Sequence, residues 1–148
     1  LGLSVLENVL VGATHAGGAR GEAAYALALD ALETTGMRGL ANRAAESLGL
    51  LDRKRLELAR ALATGPRILL LDEIGGGLTD AEAEELVHMI KGLRAKGIGI
   101  VWIEHIVHIL LQVAERLICM DAGRIIADGD PAEVMARPDV VRAYMGGV

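Results

Sequence analysis

The segment RILLLDEIGGGL, from Arg67 to Leu78, sets four apolar residues (Ile68 to Leu71) before two adjacent acids, Asp72 and Glu73, and follows them with Ile74 and three glycines. A short apolar run bounded by turn formers reads as a strand covered on both faces, as in parallel sheets. The carboxyl ends of such strands are where open α/β sheets bind ligands. Two acids there are either site residues or a chain leaving the sheet for water. The flanking residues have to separate the two readings.

Working outward, residues 80–96 carry Ala83, Leu86, Ile90 and Leu93 on one stripe and end at Gly97, the pattern of an amphipathic helix. IGIVWI then reads as a second strand, 106–115 as a helix, and RLICM as a third strand. A turn, DAG, leads to a further strand, RIIAD, and short helices follow at 131–137 and 138–145. Strand, helix, strand, helix, strand predicts a mostly parallel sheet with flanking helices, an α/β fold.

Upstream, the pattern is helical throughout. LSVLENVLVGA has apolar residues at 3, 6, 9 and 10, with Ser4 as N-cap. Gly21 to Thr35 is rich in alanine and leucine and predicts a helix ending near Gly36. DRKRLELARALA predicts a third helix, capped by Asp52, with Arg53 and Glu57 as an i,i+4 pair and Leu58 and Leu62 on one face. TGP ends it before the strand. Three regions follow: a helical lobe at 1–66, an α/β core at 67–129, and short helices at 130–148.

Bulk composition narrows the function. A chain of 148 residues holds one domain with a core and hardly two. Apolar residues make up 52%, yet no uninterrupted apolar run is as long as a membrane-spanning helix. No basic leader with a small-residue cleavage site is present, and the single cysteine, Cys119, forms no internal disulfide, so the expectation is a reducing, cytoplasmic setting. A net charge of −5 and 2% aromatic residues argue against a nucleic-acid surface.

Three pieces stand in a fixed order: DRKRLELARAL, then ILLLDE after TGPR, then GIVWIEH after one helix. Together they resemble the second half of an ABC-transporter ATPase, with its signature helix, Walker B strand, D-loop (GGGLTDAE) and switch histidine. LSVLENV at one end and DGDPAEVMARPDVVRAYMGG at the other are similar to the branched-chain (hydrophobic) amino-acid uptake group of these subunits.

The resemblance implies roles. Asp72 would hold the Mg²⁺ that bridges the β- and γ-phosphates of ATP, and Glu73 would be the general base that polarises the attacking water. His105 matches the switch histidine that contacts the γ-phosphate. Gly76, Gly77 and Leu78 fall in the D-loop, where glycine lets the turn pass close to a second ATP-binding subunit. Ser47, Leu48, Gly49 and Asp52 fall at the signature loop, which faces the ATP of that second subunit. Aligned on Arg55 without a gap, the family's Leu-Ser-Gly-Gly-Gln meets Leu48, Gly49, Leu50, Leu51 and Asp52, and a one-residue shift recovers Ser47 and Gly49. His15, His88 and His108 have no such context and read as structural or surface residues.

Other parts of the family pattern are missing. A P-loop needs Gly-x-x-x-x-Gly-Lys-Ser/Thr, but Lys54, Lys91 and Lys96 are the only lysines, and Arg55, Gly92 and Gly97 follow them. The only glutamine, Gln112, lies inside an expected helix. The expectation is therefore the C-terminal part of a nucleotide-binding domain without the half that grips ATP, from a subunit that pairs with a second copy or a paralogue. It would sit on the inner face of the plasma membrane through permease subunits. The alternative from another class is a nucleotide-incompetent module, derived from an ABC ATPase, that binds a permease or other partner. A third, a soluble ABC ATPase acting on nucleic acid, is disfavoured by the acidic balance.

Overall fold

A computed structural model describes residues 2–144. Its contacts gather into two units, one up to Ile106 and one from Val107 onward.

The first unit opens with α1 (Val5–Val11), continued by a π-helical turn (Gly12–Ala16), then α2 (Gly21–Thr34) and α3 (Leu50–Leu62). Ser4 caps α1 as expected, and a capping box closes it: Ser4 Oγ accepts from the Glu7 N–H while Glu7 accepts from the Ser4 N–H. α2 stops because Gly36 takes a positive φ of 69°. The Met37 N–H then bonds back to the Leu32 carbonyl and the Gly36 N–H to that of Glu33, with Leu32 and Met37 both buried. Val5, Val9, Ala24, Ala28, Leu32, Leu56 and Ala59 meet in one core whose small residues let the helices approach closely. Gly12 marks the tightest approach, since a Cβ there would lie 2.3 Å from the Arg60 carbonyl oxygen.

α3 begins earlier than the sequence reading has it. Gly49 is its N-cap and Asp52 lies inside the first turn, where a carboxylate suits the helix dipole without capping. Burial of Leu48 and Leu51 draws the turn before Asp52 into the fold. Arg53 does not form the expected pair with Glu57; it donates to the Leu48 and Glu46 carbonyls of the preceding loop.

β1 (Ile68–Asp72) and β2 (Gly99–Ile103) pair in parallel across α4 (Asp80–Ala95), with Leu70 opposite Val101 and Asp72 opposite Ile103. α4 starts in a second capping box, Thr79 with Glu82, and buries Ala83, Leu86, Ile90 and Leu93 as the stripe predicts. The expectation of a strand buried on both faces fails for β1. Leu69 and Leu71 are buried, but alternation sends Ile68 and Leu70 to a face left 61% and 77% exposed, and Val101 and Ile103 continue that exposed face on β2.

The second unit contains α5 (Val107–Leu110), β3 (Leu117–Asp121), β4 (Arg124–Gly129), α6 (Pro131–Met135) and α7 (Pro138–Tyr144). The helix expected over 106–115 stays helical only to Leu110, because the Gln112 and Val113 N–H groups turn to i−3 carbonyls. β3 does not extend the parallel sheet; it forms an antiparallel hairpin with β4. The cause is local: Ala122 and Gly123 both have positive φ, 44° and 76°, which is the two-residue turn that suits hairpin twist. The Arg116 guanidinium clasps Asp128 across this hairpin, Nε–Oδ1 2.7 Å and Nη2–Oδ2 2.6 Å. Burial, and then the charge of Asp139, push the Cys119 thiol above its ordinary pKa, so the lone cysteine is a packing residue. Asp130 caps α6 ahead of Pro131. Residue 145, expected in the last helix, lies outside the described residues. Among the described residues no helix is long and apolar enough to cross a membrane.

Candidate functional site

The site forms where β1 and β2 end side by side. Asp72 closes β1 with an exposed side chain. Glu73 adds one more rung, its N–H donating to the Ile103 carbonyl at 2.9 Å. It then bends into the left-handed region, with φ 46°. A non-glycine residue there is uncommon and strained, and such strain gathers at functional turns. The bend carries the Glu73 carboxylate out of the alternation of β1 and toward the end of β2.

Weak turns follow, Gly76 N–H to the Glu73 carbonyl and Leu78 N–H to that of Gly75, both 3.4 Å. Gly77 has φ 78°, and a Cβ on it would meet Leu50 Cδ2 at 3.1 Å. The glycine turn thus passes against the first residue of α3. The positive φ is what calls for glycine there, since the half-exposed Leu50 side chain can give way.

From β2 comes His105, whose Nδ1 stands 3.4 Å from Glu73 Oε1 and 3.3 Å from Glu104 Oε1. His105 and Glu73 are 65% and 62% exposed, so both present polar atoms to solvent or to a ligand. Glu104 does not: its side chain is fully buried. It accepts three backbone N–H bonds, from Gly75 on Oε2 (2.9 Å) and from His105 (3.0 Å) and Ile106 (3.3 Å) on Oε1. Sequence reasoning passed over Glu104. The available signal was an acid ending the apolar run IGIVWI, one residue past β2 as Glu73 is one residue past β1.

The signature-type residues lie at the start of α3. Ser47 is exposed, donates through Oγ to the Ala44 carbonyl at 2.8 Å and accepts from Arg43 Nε at 3.1 Å. Leu48 is buried and Gly49 is the open N-cap. Asp52 pairs with Arg55 at 3.3 Å, and Arg55 also grips Glu85 of α4, so Asp52 is engaged in a helix-to-helix contact. The glycine turn reaches this region through Gly77 and Leu50, whereas Glu73 and His105 meet each other at the strand ends.

Of the other histidines, His15 contacts Thr14 Oγ1 at 3.1 Å, His88 lines a shallow groove with Thr34, Arg55 and Glu84, and His108 is an exposed residue of α5. Among the described residues no three His, Cys, Asp or Glu side chains cluster to hold a metal. Asp72 is an accessible hard oxygen ligand, which suits Mg²⁺ held mainly by phosphates and water. A phosphate cradle is a different matter, for no lysine of this chain stands in a P-loop pattern. The residues present therefore fit the catalytic side of a Mg²⁺-nucleotide site and not its gripping side.

Known proteins are similar to this chain in sequence and fold. Residues 124–148 match the family described as branched-chain amino acid ATP-binding cassette transporter. The chain is 40% identical over 116 residues to LivG of Salmonella typhimurium, a high-affinity branched-chain amino acid transport ATP-binding protein, covering 78% of this chain and 46% of LivG. It is 35% identical to BraF of Pseudomonas aeruginosa over the same shares. Among solved structures it resembles a nucleotide-free ATP-binding cassette from an ABC transporter, with TM-score 0.86 and 29% identity over 98% of this chain and 64% of that one. An ADP conformation of such a cassette matches with TM-score 0.88 and 30% identity, over 98% and 63%. The chain spans about half the length of the curated relatives it matches. By these likenesses the chain is similar, over about half of their length, to the ATP-binding subunits of ABC transporters of the branched-chain amino-acid type.

Proposed function

We propose that this chain is the C-terminal part of the energy-coupling ATPase subunit of an importer for branched-chain or other hydrophobic amino acids. The observation that carries the reading is the approach of Glu73 Oε1 to His105 Nδ1, 3.4 Å, at the ends of two adjacent parallel strands. In a complete subunit Asp72 would hold Mg²⁺, which when bound draws charge from the phosphates. Glu73 would accept the proton of the attacking water, and His105 would donate a hydrogen bond to the terminal phosphate. Ser47, Leu48 and Gly49, with Gly76, Gly77 and Leu78, would face a second ATP-binding subunit. The helical lobe at 1–66 would meet permease subunits, placing the protein at the cytoplasmic face of the membrane. The names of the relatives support the transported class, and the α/β core at 67–129 with its short C-terminal helices at 130–148 supports the catalytic role.

A second reading, a nucleotide-incompetent module that binds a permease or partner, draws on the missing P-loop lysine. Upstream coding sequence separates the two: an in-frame P-loop supports the ATPase, and its absence supports the module. The functional test is Glu73→Gln in the subunit that includes the P-loop segment. Turnover should fall by about 10²–10⁴-fold with ATP binding retained. Hydrolysis at a near-normal rate in that variant would reject the reading.

A further inference from the structure

Glu104 is a buried carboxylate for which the proposed chemistry has no use. Its side chain is 0% exposed between neighbours that are open to solvent. Burying a charged carboxylate is costly unless both oxygens are satisfied, and here they are. The donors come from separate loops: Gly75 from the turn after β1, and His105 and Ile106 from the segment after β2. Gly75 is two residues past Glu73, and His105 is the residue after Glu104 itself. Past the last backbone rung, from the Glu73 N–H to the Ile103 carbonyl, one side chain therefore ties together the two segments that carry Glu73 and His105. Glu104 Oε1 also lies 3.3 Å from His105 Nδ1, so the imidazole sits between two carboxylates and its orientation is constrained from both sides.

We propose that Glu104 is a positioning residue for the Glu73–His105 pair, its two oxygens clasping the loop after β1 to the loop after β2. The inference rests on the functional reading above for its catalytic consequence, though not for the clasp itself. Chemistry restricts what can replace it. Glutamine keeps the shape but offers one acceptor and one donor end, and every backbone partner on both oxygens is an N–H donor. Whichever way the amide turns, one loop faces donor to donor and is released. Aspartate keeps the charge but is one methylene shorter and cannot span both loops.

The test has two readouts. In the ¹⁵N-labelled 148-residue chain, Glu104→Gln should speed amide exchange at Gly75, or at His105 and Ile106, by about tenfold or more, as loss of a bond to a charged acceptor requires. Amides in α4 should stay as they are, and the melting temperature should fall by only a few degrees, as the loss of one buried bond requires. In the subunit that includes the P-loop segment, kcat for Mg·ATP hydrolysis should fall about 10–100-fold while KM stays within about twofold, the pattern of a displaced catalytic group. Should Glu104→Gln not fold, Glu104→Asp is read by the same criteria. Unchanged exchange at all three amides in a folded variant overturns the clasp. Faster exchange with kcat preserved, or a kcat loss matched by general destabilisation, overturns the positioning role. Glu73→Gln is the control: if it still hydrolyses ATP, the functional reading fails, and the exchange data still decide whether the clasp exists.

Discussion

Glu73 and His105 meet at 3.4 Å although each belongs to a different strand end and both side chains remain mostly exposed. A carboxylate and an imidazole at that separation touch directly, so a water and a phosphate oxygen would be met by the two side by side and not between them. In the subunit that includes the P-loop segment, His105→Ala should lower turnover by about a hundredfold, the loss of one donor aimed at developing charge. Nucleotide affinity should change far less. Steady-state kinetics with equilibrium titration checks this, and a loss confined to affinity would contradict it.

Asp72 is expected to behave differently from its neighbour. Asp72→Asn removes charge near the cation, so it should weaken the Mg²⁺-dependent part of ATP binding about 10–100-fold as well as slow turnover. Titrations with and without Mg²⁺ separate the two effects. If Asp72→Asn and Glu73→Gln gave the same binding profile, the division of labour between the acids would be wrong.

The 148-residue chain by itself should neither bind Mg·ATP tightly nor hydrolyse it. No lysine of this chain can serve a P-loop, and without that backbone nest nothing cradles the phosphates. Calorimetric titration is the check, and low-micromolar binding accompanied by turnover would refute the expectation.

Gly12 should tolerate no side chain. A methyl group there would stand 2.3 Å from the Arg60 carbonyl oxygen, and a backbone carbonyl in a helix yields little. Gly12→Ala should therefore destabilise the helical lobe by about 1–3 kcal/mol despite alanine's better helix propensity. Gly39→Ala, with open space around it, is the comparison. Equal denaturation midpoints for the two variants would show that the helices separate freely.

Acid should weaken the fold through identifiable pairs. The hydrogen bonds from Arg116 hold the Asp128 carboxyl below its usual 3.8. A folded-state pKa depressed in this way contributes stability that is present above the unfolded value and lost as pH falls through the lowered one. Glu7 and Glu82 act with the same sign, held below 4.5 first by the backbone N–H groups of Ser4 and Thr79. Melting temperatures should fall below about pH 4. The deficit of Arg116→Ala relative to the parent should shrink over that interval, and a deficit independent of pH would mean the pair contributes nothing.

Much of the architecture was legible before any coordinates. Ser4 as a cap, the stripe of α4, its stop at Gly97 and the order of strands and helices all follow from local periodicity and from residues that favour caps and turns. That Asp72, Glu73 and His105 stand at neighbouring strand ends was legible too, because each follows closely on a short apolar run. Where the reading missed, a nearby preference was outweighed. Asp52 is a good capping residue, yet burial of Leu48 and Leu51 starts the helix at Gly49's cap. RLICM looks like one more parallel strand, but the Ala122–Gly123 turn folds β4 straight back onto it.

The chain's own sequence therefore determined most of the segments that are helix or strand, and that Asp72, Glu73 and His105 stand at the ends of the two parallel strands. Tertiary structure alone decided which face of β1 is covered, how the Glu73 backbone bends, and which backbone N–H groups Glu104 accepts from. The reason is separation along the chain. A helix stripe or a cap is encoded within a few neighbouring residues, whereas the Gly75 N–H and the Glu104 carboxylate lie 29 residues apart and acquire their meaning only when two strand ends are brought together.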